Sequence, residues 1–462
     1  VLARAAELAV DYLDSLPDRP VGRPVPVDVL RAALSGPLPE GPDDPVRVIE
    51  ELAAAAEPGL VGSAGPRYFG FVVGGAVPAS LAADWLTSTW DQNAGLYVLS
   101  PAAAVAEEVA ARWLVDLFGL PSGSSVGFTT GATMASFTAL AAGRHALLER
   151  QGWDVEREGL IGAPDLPVVV GDEAHVTIHV SLQMLGLGRD RVHRVAVDGQ
   201  GRMRPEALAE TLRSLGRPAL VCAQAGNVNT GAFDDLEKIA AAVREHGGWL
   251  HVDGAFGLWA AVSPALRPLV RGLDLADSWT TDAHKWLNVP YDSGIVIVRH
   301  PEAHHAAMTL GAAYYVETGG GERDPYNWVP ESSRRARGFA IYAAIRSLGR
   351  QGIASMVEGC SALARRFADR LGAEPGIRIL NEVVLNQVLV RFDDPGGDPA
   401  RGDARTRAVA AAIQHDGTAW ASGTTWQGTA ALRISVSNWS TTAEDVDRAA
   451  DAIIAAARST TG

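Results

Sequence analysis

Short apolar runs rich in β-branched residues alternate with helical segments through the middle of the chain. The runs lie at residues 126–128, 168–170, 220–223, 249–252, 277–281 and 295–298. Helical patterns at 135–148, 205–215 and 235–245 separate several of them. Because strands that alternate with helices pair into a mostly parallel sheet, this order predicts an α/β fold. Such sheets bind ligands beyond the carboxyl ends of their strands, so we expect functional residues there.

The segments on either side of this alternation predict three parts. Residues 1–60 suggest two short amphipathic helices around the proline-rich turn 17–26, which we interpret as an N-terminal helical arm. The large α/β domain is expected at 61–337, with a long loop at 311–335 of the kind that forms a lid or binding segment. A smaller α+β C-terminal domain is expected at 338–462.

One helix of the large domain is expected to begin at Pro101, because proline is favoured in the first turn of a helix. The apolar positions that follow predict that Glu107, Glu108 and Arg112 lie on its exposed face.

Composition argues against several classes of protein. The 462 residues carry a formal net charge of −14, which disfavours binding to nucleic acids or to anionic membranes. Only Cys222 and Cys360 are present, so we expect no disulfide framework and no cysteine zinc site, and a reducing cytoplasm fits. The uncharged stretch 117–143 contains Pro121 and several glycines, which makes it a poor membrane span. We recognise no secretion signal at the N-terminus.

Metal-dependent chemistry is not predicted. His300, His304 and His305 cluster near Glu302, but on a turn that we expect to be exposed, and no HExxH motif is present.

Four short polar segments follow predicted strands. They are Thr129–Thr133, Asp172–His175, His251–Ala255 and Asp282–Trp286. In the first, backbone amides and the Thr133 hydroxyl at a helix N-terminus can hold a phosphate, although small residues there also serve as a plain cap. In the second, His175 can stack on a flat ring or be an ordinary hydrogen-bonded loop histidine.

The other two segments supply a carboxylate and an amine. Asp253 ends an apolar strand, where a buried charge needs a cationic partner; a protonated pyridine nitrogen is one, and an N-cap or a surface ion pair is the alternative. Lys285 lies 32 residues later beside a histidine and a tryptophan. A desolvated lysine loses its proton and can attack a carbonyl carbon, whereas an exposed one is only a surface charge.

Together, the order and spacing of these segments resemble the pyridoxal-phosphate-dependent group II amino-acid decarboxylases, which include aromatic-L-amino-acid and glutamate decarboxylases. Asp282-Ala283-His284-Lys285-Trp286 is similar to the family's Asn-Pro-His-Lys-Trp, and His251-Val252-Asp253 matches its strand motif. The resemblance extends from residues 66–70 to 432–438. It implies a fold-type I enzyme with pyridoxal 5′-phosphate (PLP), a cytoplasmic homodimer, and conversion of an amino acid to an amine and CO₂.

The resemblance also implies roles for individual residues. Lys285 holds the cofactor covalently, Asp253 keeps the pyridine nitrogen protonated, and His175 stacks on the ring. Further residues near the cofactor are Ala132 and Thr133 at the phosphate, His284 and Asp282 beside it, Asn227 (or Asn229) in the turn after a strand, and Ala255 on the other side of the ring.

Two departures from the family pattern affect the chemistry. The family's proton donor is a mobile-loop tyrosine in Asp-Tyr-x-x-Trp, whereas this chain has Asp324-Pro325-Tyr326-Asn327-Trp328, with the tyrosine one place late. We predict that Tyr326 is the donor; the alternative is an aromatic anchor of the loop. Asp282 stands where the family commonly has asparagine and places a negative charge near the phosphate.

These departures leave the outcome of the reaction open. Oxygen-dependent decarboxylation with deamination to an aldehyde is the nearest alternative, because relatives with a changed loop residue perform it. A transaminase and a cofactor-free binding protein are weaker alternatives. Residues 91–97 are more polar than the corresponding stretch of aromatic-selective members, so the substrate class does not carry over.

Overall fold

The computed structural model describes residues 1–22, 24–309 and 322–460. Its contacts divide the chain into two compact units. One consists of residues 1–75, 363–380 and 388–462, and the other of residues 76–362 and 381–387. The expected N-terminal arm lies wholly within the first unit.

The first unit begins with three amphipathic helices where the sequence suggested two: α1 (Leu2–Ser15), α2 (Val27–Leu34) and α3 (Pro45–Ala56). The third begins at a capping signal, because the Asp44 carboxylate accepts the Val46 N–H at 3.1 Å and Pro45 occupies the first turn. None of the residues in these three helices is buried.

The second unit contains most of the helices: α4 (Pro78–Trp90), α5 (Pro101–Phe118), α6 (Ala132–Glu149), α7 (Val155–Glu158), α8 (Val176–Met184), α9 (Pro205–Leu215), α10 (Leu236–Glu245) and α11 (Pro301–Met308). The next helix, α12 (Gly338–Gly372), continues into the first unit and is interrupted at Gly349, which has a positive φ of 62°. The predicted start of α5 at Pro101 is confirmed.

Seven strands form the sheet of the second unit: β1 (Ser125–Thr129), β2 (Val168–Gly171), β3 (Val192–Val195), β4 (Leu220–Gln224), β5 (Trp249–Asp253), β6 (Ser278–Asp282) and β7 (Gly294–Val298). Their order is β1-β7-β6-β5-β4-β2-β3, and only the two pairings of β7 are antiparallel. The predicted α/β fold with a mostly parallel sheet is confirmed. The edge strand β3 was not predicted, because its half-exposed Val-His-Arg-Val lacks an apolar run.

Helix α6 lies directly against this sheet. A Cβ atom at Gly143 would stand 2.8 Å from Leu220 Cδ1 and 3.0 Å from the Trp249 ring, so only glycine permits the approach. The buried face of α6 packs on apolar side chains of β4, β5 and β7. The helix N-terminus is thereby held at the carboxyl edge of the strands.

Two expectations about exposure are wrong. Glu107 is only 2% exposed, because it pairs with Arg334 from a distant segment. His304 is fully buried, with Nδ1 within 2.8 Å of Ser125 Oγ and Nε2 within 2.9 Å of the Trp328 carbonyl oxygen. Helical periodicity reports which face is apolar, but it does not reveal a buried polar partner supplied from elsewhere in the chain.

The C-terminal part of the first unit is α+β in composition. It contains β8 (Ile377–Ile379), β9 (Gln387–Phe392), α13 (Pro399–Asp416), β10 (Ser422–Trp426), β11 (Thr429–Ser435) and α14 (Ala443–Ser459), and its sheet has the order β10-β11-β9-β8. Among residues 1–22, 24–309 and 322–460, no helix is both long and apolar enough to cross a bilayer. The same residues contain no group of three or more His, Cys, Asp or Glu side chains arranged to hold a metal ion.

Candidate active site

The carboxyl ends of β5 and β6 bring two acidic residues to one edge of the sheet. The two strands are parallel, and Asp253, the last residue of β5, is paired in register with Thr280 of β6. Asp282 ends β6, and His284 and Lys285 follow in the next turn. These motifs are separated in the sequence but lie at the same edge of the sheet, as the parallel topology predicts.

Asp253 is a buried carboxylate without a cation beside it. It is 7% exposed, and its Oδ1 accepts the Ala255 N–H at 3.1 Å. No basic side chain in the described part of the chain lies within ion-pair distance of it. Because a buried charge is costly without a partner, this position fits a protonated ring nitrogen. Burial raises the pKa of the Cys222 thiol on the neighbouring strand β4, and the Asp253 carboxylate raises it further.

Asp282 is the centre of a compact polar group. It is 2% exposed; Oδ1 accepts the Ala132 N–H at 2.6 Å, and Oδ2 lies 2.8 Å from Lys285 Nζ. Oδ1 is also 3.5 Å from His284 Nε2. The carboxylate thus joins the N-terminus of α6 to the lysine of the predicted motif.

His284 is held on two sides. Its Nδ1 accepts the Ser293 N–H at 3.1 Å, and the Tyr291 ring stacks on it with centroids 4.3 Å apart. Burial lowers the pKa of His284 and so favours the neutral ring, in which the proton is assigned to Nε2 because Nδ1 accepts a hydrogen bond. The ring therefore directs one N–H donor toward the group around Asp282.

The turn before α6 lies directly against strand β7. Gly131 is the N-cap of α6, and a Cβ on Gly294 of β7 would stand 2.5 Å from Gly131 Cα, so the two backbones touch. The Thr133 carbonyl oxygen accepts the Ser181 hydroxyl at 3.0 Å, which ties α6 to α8. Backbone N–H groups and the helix dipole at such an end favour an anion, and here the Ala132 N–H donates to the Asp282 carboxylate.

His175 is the N-cap of α8, and its orientation is fixed locally. Its Nδ1 lies 2.8 Å from Thr177 Oγ1 and accepts the Thr177 N–H at 3.4 Å. The preceding carbonyl oxygen of Glu173 accepts from Gln224 Nε2 at 3.1 Å and from Asn227 Nδ2 at 3.4 Å. The end of β4 therefore positions the loop that carries the histidine.

Asn227 and Ala255 both shape the strand ends. Asn227 Oδ1 accepts the N–H groups of Asn229 at 2.9 Å and Thr230 at 3.2 Å, which closes a tight turn after β4. The Ala255 carbonyl oxygen accepts the Asp282 N–H at 2.9 Å and so links the ends of β5 and β6. Both residues lie at the carboxyl edge where the site was expected.

Tyr326 lies in a short 3₁₀ turn, Pro325–Trp328, and its side chain is 2% exposed. Its N–H donates to the Gly95 carbonyl oxygen at 2.9 Å, and the neighbouring Asp324 Oδ1 accepts the Tyr97 N–H at 2.7 Å. Of the expected lid at 311–335, residues 311–321 lie outside the described residues. In the described part of this loop, Asp324 and Tyr326 bind the segment around Gly95 and Tyr97.

Direct contacts thus bring together four predicted residues, and hydrogen bonds of the Ala255 backbone connect two more to them. The four are Ala132, Asp282, His284 and Lys285, and the two are Asp253 and Ala255. Sequence reasoning missed Gln224, Ser293 and Tyr291. The last two follow the Lys285 motif closely, but no local pattern distinguishes a residue that buttresses a histidine.

Comparison with known proteins identifies the class. The profile of the pyridoxal-dependent decarboxylase conserved domain matches residues 28–393. The chain belongs to the pyridoxal-dependent decarboxylase family, and the predicted resemblance is confirmed. The protein is therefore a PLP-dependent carboxy-lyase.

The individual relatives are named for different enzyme activities. The chain is 26% identical over 396 residues to aromatic-L-amino-acid decarboxylase of Bacillus atrophaeus, covering 84% of this chain and 80% of that one. It is 32% identical over 392 residues to L-2,4-diaminobutyrate decarboxylase of Rhizobium meliloti (strain 1021), covering 83% and 76%. It is 26% identical over 440 residues to 4-hydroxyphenylacetaldehyde synthase of Rhodiola rosea, covering 91% and 88%.

A solved structure of Oryza sativa TDC with PLP and tryptamine has the same fold. The TM-score is 0.93 with 22% sequence identity, over 100% of this chain and 97% of that one. This likeness confirms the expected fold class.

Proposed function

We propose that the chain decarboxylates an L-α-amino acid to the corresponding amine and CO₂. The observation that carries the proposal is the pair of buried acidic residues at one sheet edge. Asp253 has no cation beside it in the described part of the chain, and Asp282 holds the Lys285 ammonium at 2.8 Å. The first fits a pyridine nitrogen, and the second places an amine where a covalent bond to the cofactor is needed.

The residues around these two fit the remainder of the cofactor. Lys285 would carry it covalently, and the Ala132 N–H, the Thr133 hydroxyl and the His284 Nε2–H would face its phosphate, near Asp282. The ring would lie between His175 and Ala255, close to the turn built by Asn227. When bound, PLP supplies an electron sink for the pair of electrons left on Cα.

The protein's own contribution is charge, orientation and protonation. The Asp253 carboxylate stabilises a proton on the ring nitrogen, because a buried anion favours the charged form of a nearby base. His175, fixed by Thr177, restricts the substrate carboxylate to one direction. After CO₂ leaves, a proton must reach Cα, and we assign its donation to the Tyr326 hydroxyl.

Oxygen-dependent conversion to an aldehyde is the second candidate. It is favoured by the one-residue displacement of Tyr326 and supported by the likeness to an aldehyde synthase. In that reaction, oxygen is consumed and the amine nitrogen leaves as ammonia.

A panel of the twenty amino acids tests both candidates. We expect one of them to give CO₂ and its amine, identified by mass, in equal amounts without oxygen uptake. Aldehyde and peroxide formed together with CO₂ would establish the second candidate instead. Turnover that requires an added 2-oxo acid would indicate a transaminase, and a chain that takes up no PLP would be a binding protein.

We also propose that the enzyme is a cytoplasmic homodimer. The helices α1–α3 are amphipathic, yet none of their residues is buried, and an exposed apolar face of this kind favours association with a second copy. Cys222 and Cys360 are both buried and do not form a disulfide, which suits a reducing compartment. Light scattering at micromolar concentration should give twice the mass of one chain; a fully active monomer would contradict the proposal.

A further inference from the structure

Asp282 bonds to the groups that the proposed function assigns to the cofactor. Its Oδ1 accepts the Ala132 N–H at 2.6 Å, a short distance for such a bond, and Oδ2 lies 2.8 Å from Lys285 Nζ. The His284 Nε2 atom stands 3.5 Å from the same Oδ1. One buried carboxylate therefore contacts the helix N-terminus, the histidine and the lysine at once.

We infer that Asp282 competes with the cofactor phosphate for the N-terminus of α6 and thereby weakens retention of the cofactor. The inference rests on the proposed cofactor positions of Ala132, His284 and Lys285. A phosphate that accepts the Ala132 N–H has to share or displace the bond that Asp282 makes. Two anions brought together in a site closed to solvent repel each other strongly.

The position of Asp282 gives it little freedom to withdraw. Its side chain is 2% exposed, its N–H donates to the Ala255 carbonyl oxygen at 2.9 Å, and its carbonyl oxygen accepts Trp259 Nε1 at 3.2 Å. The backbone is thus fixed at the end of β6. Asparagine at this position would keep an oxygen for the Ala132 N–H while removing the charge.

Asp282 also restrains the lysine. Lys285 Nζ lies 2.8 Å from Asp282 Oδ2, and this contact has to break before the amine can bond to the cofactor aldehyde. Neutralising Asp282 therefore favours cofactor attachment in two separable ways. One acts through the phosphate, and the other acts through Lys285 and does not need a phosphate.

The test compares wild type, Asp282→Asn and Asp292→Asn after the cofactor has been removed and the protein dialysed. Asp292 is a suitable control because it is half exposed, pairs with Arg337 and faces His284 electrostatically. Dissociation constants are measured for PLP, for pyridoxal without the phosphate, and for inorganic phosphate. Covalent uptake of PLP by the wild type is recorded by mass after borohydride reduction.

We expect Asp282→Asn to bind PLP about tenfold more tightly or better, and inorganic phosphate to follow the same trend. The gain for pyridoxal should be smaller, because only the lysine contributes there. Asp292→Asn should behave as wild type does. Weaker or unchanged PLP and phosphate binding by Asp282→Asn, or an equal gain in Asp292→Asn, would overturn the inference.

The two proposals fail differently. If the wild type takes up no PLP covalently, the proposed function is lost, but the inorganic-phosphate comparison still decides whether Asp282 opposes an anion at α6. If PLP is taken up and the Asp282→Asn variant shows no gain, the function stands and only the competition is excluded.

Discussion

Glu107 and Arg334 form an ion pair of 2.7 Å between Oε1 and Nη1, and solvent reaches neither side chain appreciably. Arg334 also donates to the carbonyl oxygens of Ala94 at 2.9 Å and Phe128 at 2.7 Å. Burial raises the pKa of Glu107, and the adjacent Arg334 charge opposes that rise. The pair connects α5 and the end of β1 to the segment that carries Tyr326.

Removing one member of this pair should be costly. In Glu107→Gln the Arg334 guanidinium stays buried without its counter-ion, and we expect the free energy of unfolding to fall by about 3–5 kcal/mol. Glu108→Gln, which breaks the exposed pair with Arg112, should cost less than about 1 kcal/mol. Urea unfolding checks both, and similar losses in the two variants would contradict the importance of the buried pair.

Lys285 can be tested against a matched control, since the chain has only one other lysine, Lys238. Lys238 is exposed on α10 and pairs with Asp235 at 2.8 Å. Lys285→Ala should abolish both turnover and the visible absorption of the lysine-bound cofactor, whereas Lys238→Ala should retain both. After borohydride reduction, peptide mapping should find the cofactor mass on residue 285; a label on residue 238, or cofactor absorption that persists in Lys285→Ala, would refute the assignment.

Asp253 should affect catalysis more than cofactor attachment. In Asp253→Asn the charge that holds the proton on the ring nitrogen is lost, while the side-chain size and the oxygen facing the Ala255 N–H are kept. We expect kcat to fall about 100-fold or more, with covalently bound PLP still present by mass. Asp190→Asn, at an exposed loop position, should leave kcat unchanged. A near-normal kcat in Asp253→Asn would remove Asp253 from the mechanism.

The strand-end motifs were readable from the sequence because parallel topology brings successive strand ends to one edge. Predicting that Asp253 and Lys285 follow neighbouring strands required only correct strand assignments and the order of the motifs. The contact between Asp282 and Ala132 was not readable, because it joins residues 150 apart in the chain and depends on how closely α6 approaches the sheet.

Buried polar pairs are the other feature that the pattern could not reveal. Glu107 was expected to be exposed, since charge usually indicates the solvent face, but its partner comes from 227 residues away. The third helix of the arm carried a local signal at Asp44 and Pro45 that apolar periodicity alone overlooks. Local sequence patterns thus predicted the helices, the strands and the edge of the sheet that carries the site. Burial of the charged side chain of Glu107 depended instead on a partner distant in the sequence.

Tyr326→Phe distinguishes a proton donor from an anchor. The phenyl ring keeps the packing of the buried side chain, so the fold and PLP content should be retained. If Tyr326 protonates Cα, amine formation should fall about 100-fold or more, with any remaining CO₂ accompanied by oxygen uptake and aldehyde. Tyr342→Phe, whose ring stacks on Trp113, provides the control. Unchanged amine output without oxygen use would show that Tyr326 only anchors the segment.

Acid should destabilise the enzyme through two buried histidines. Burial lowers the pKa of both His251 and His304 to about 3 from the ordinary value of 6.5. Below pH 6.5 these two histidines are protonated in the unfolded chain but remain neutral in the folded chain. The free energy of unfolding therefore falls as the pH drops from 6.5 toward 3. Each histidine should contribute up to about 1.4 kcal/mol per pH unit well below pH 6.5, and about 1.6 kcal/mol between pH 6.5 and 5.

His304→Gln isolates one of these contributions. The glutamine amide can still donate to the Trp328 carbonyl oxygen that His304 Nε2 contacts at 2.9 Å, but it cannot take up a proton. Between pH 7 and 5 the slope of unfolding free energy against pH should therefore decrease by about 1 kcal/mol per unit on average relative to wild type, and His193→Gln, at an exposed position, serves as the control. Urea titrations at pH 5, 6 and 7 measure the slopes. Equal slopes for His304→Gln and wild type would mean that His304 is protonated in the folded protein, and the buried contacts with Ser125 and Trp328 would then have to accommodate a charge.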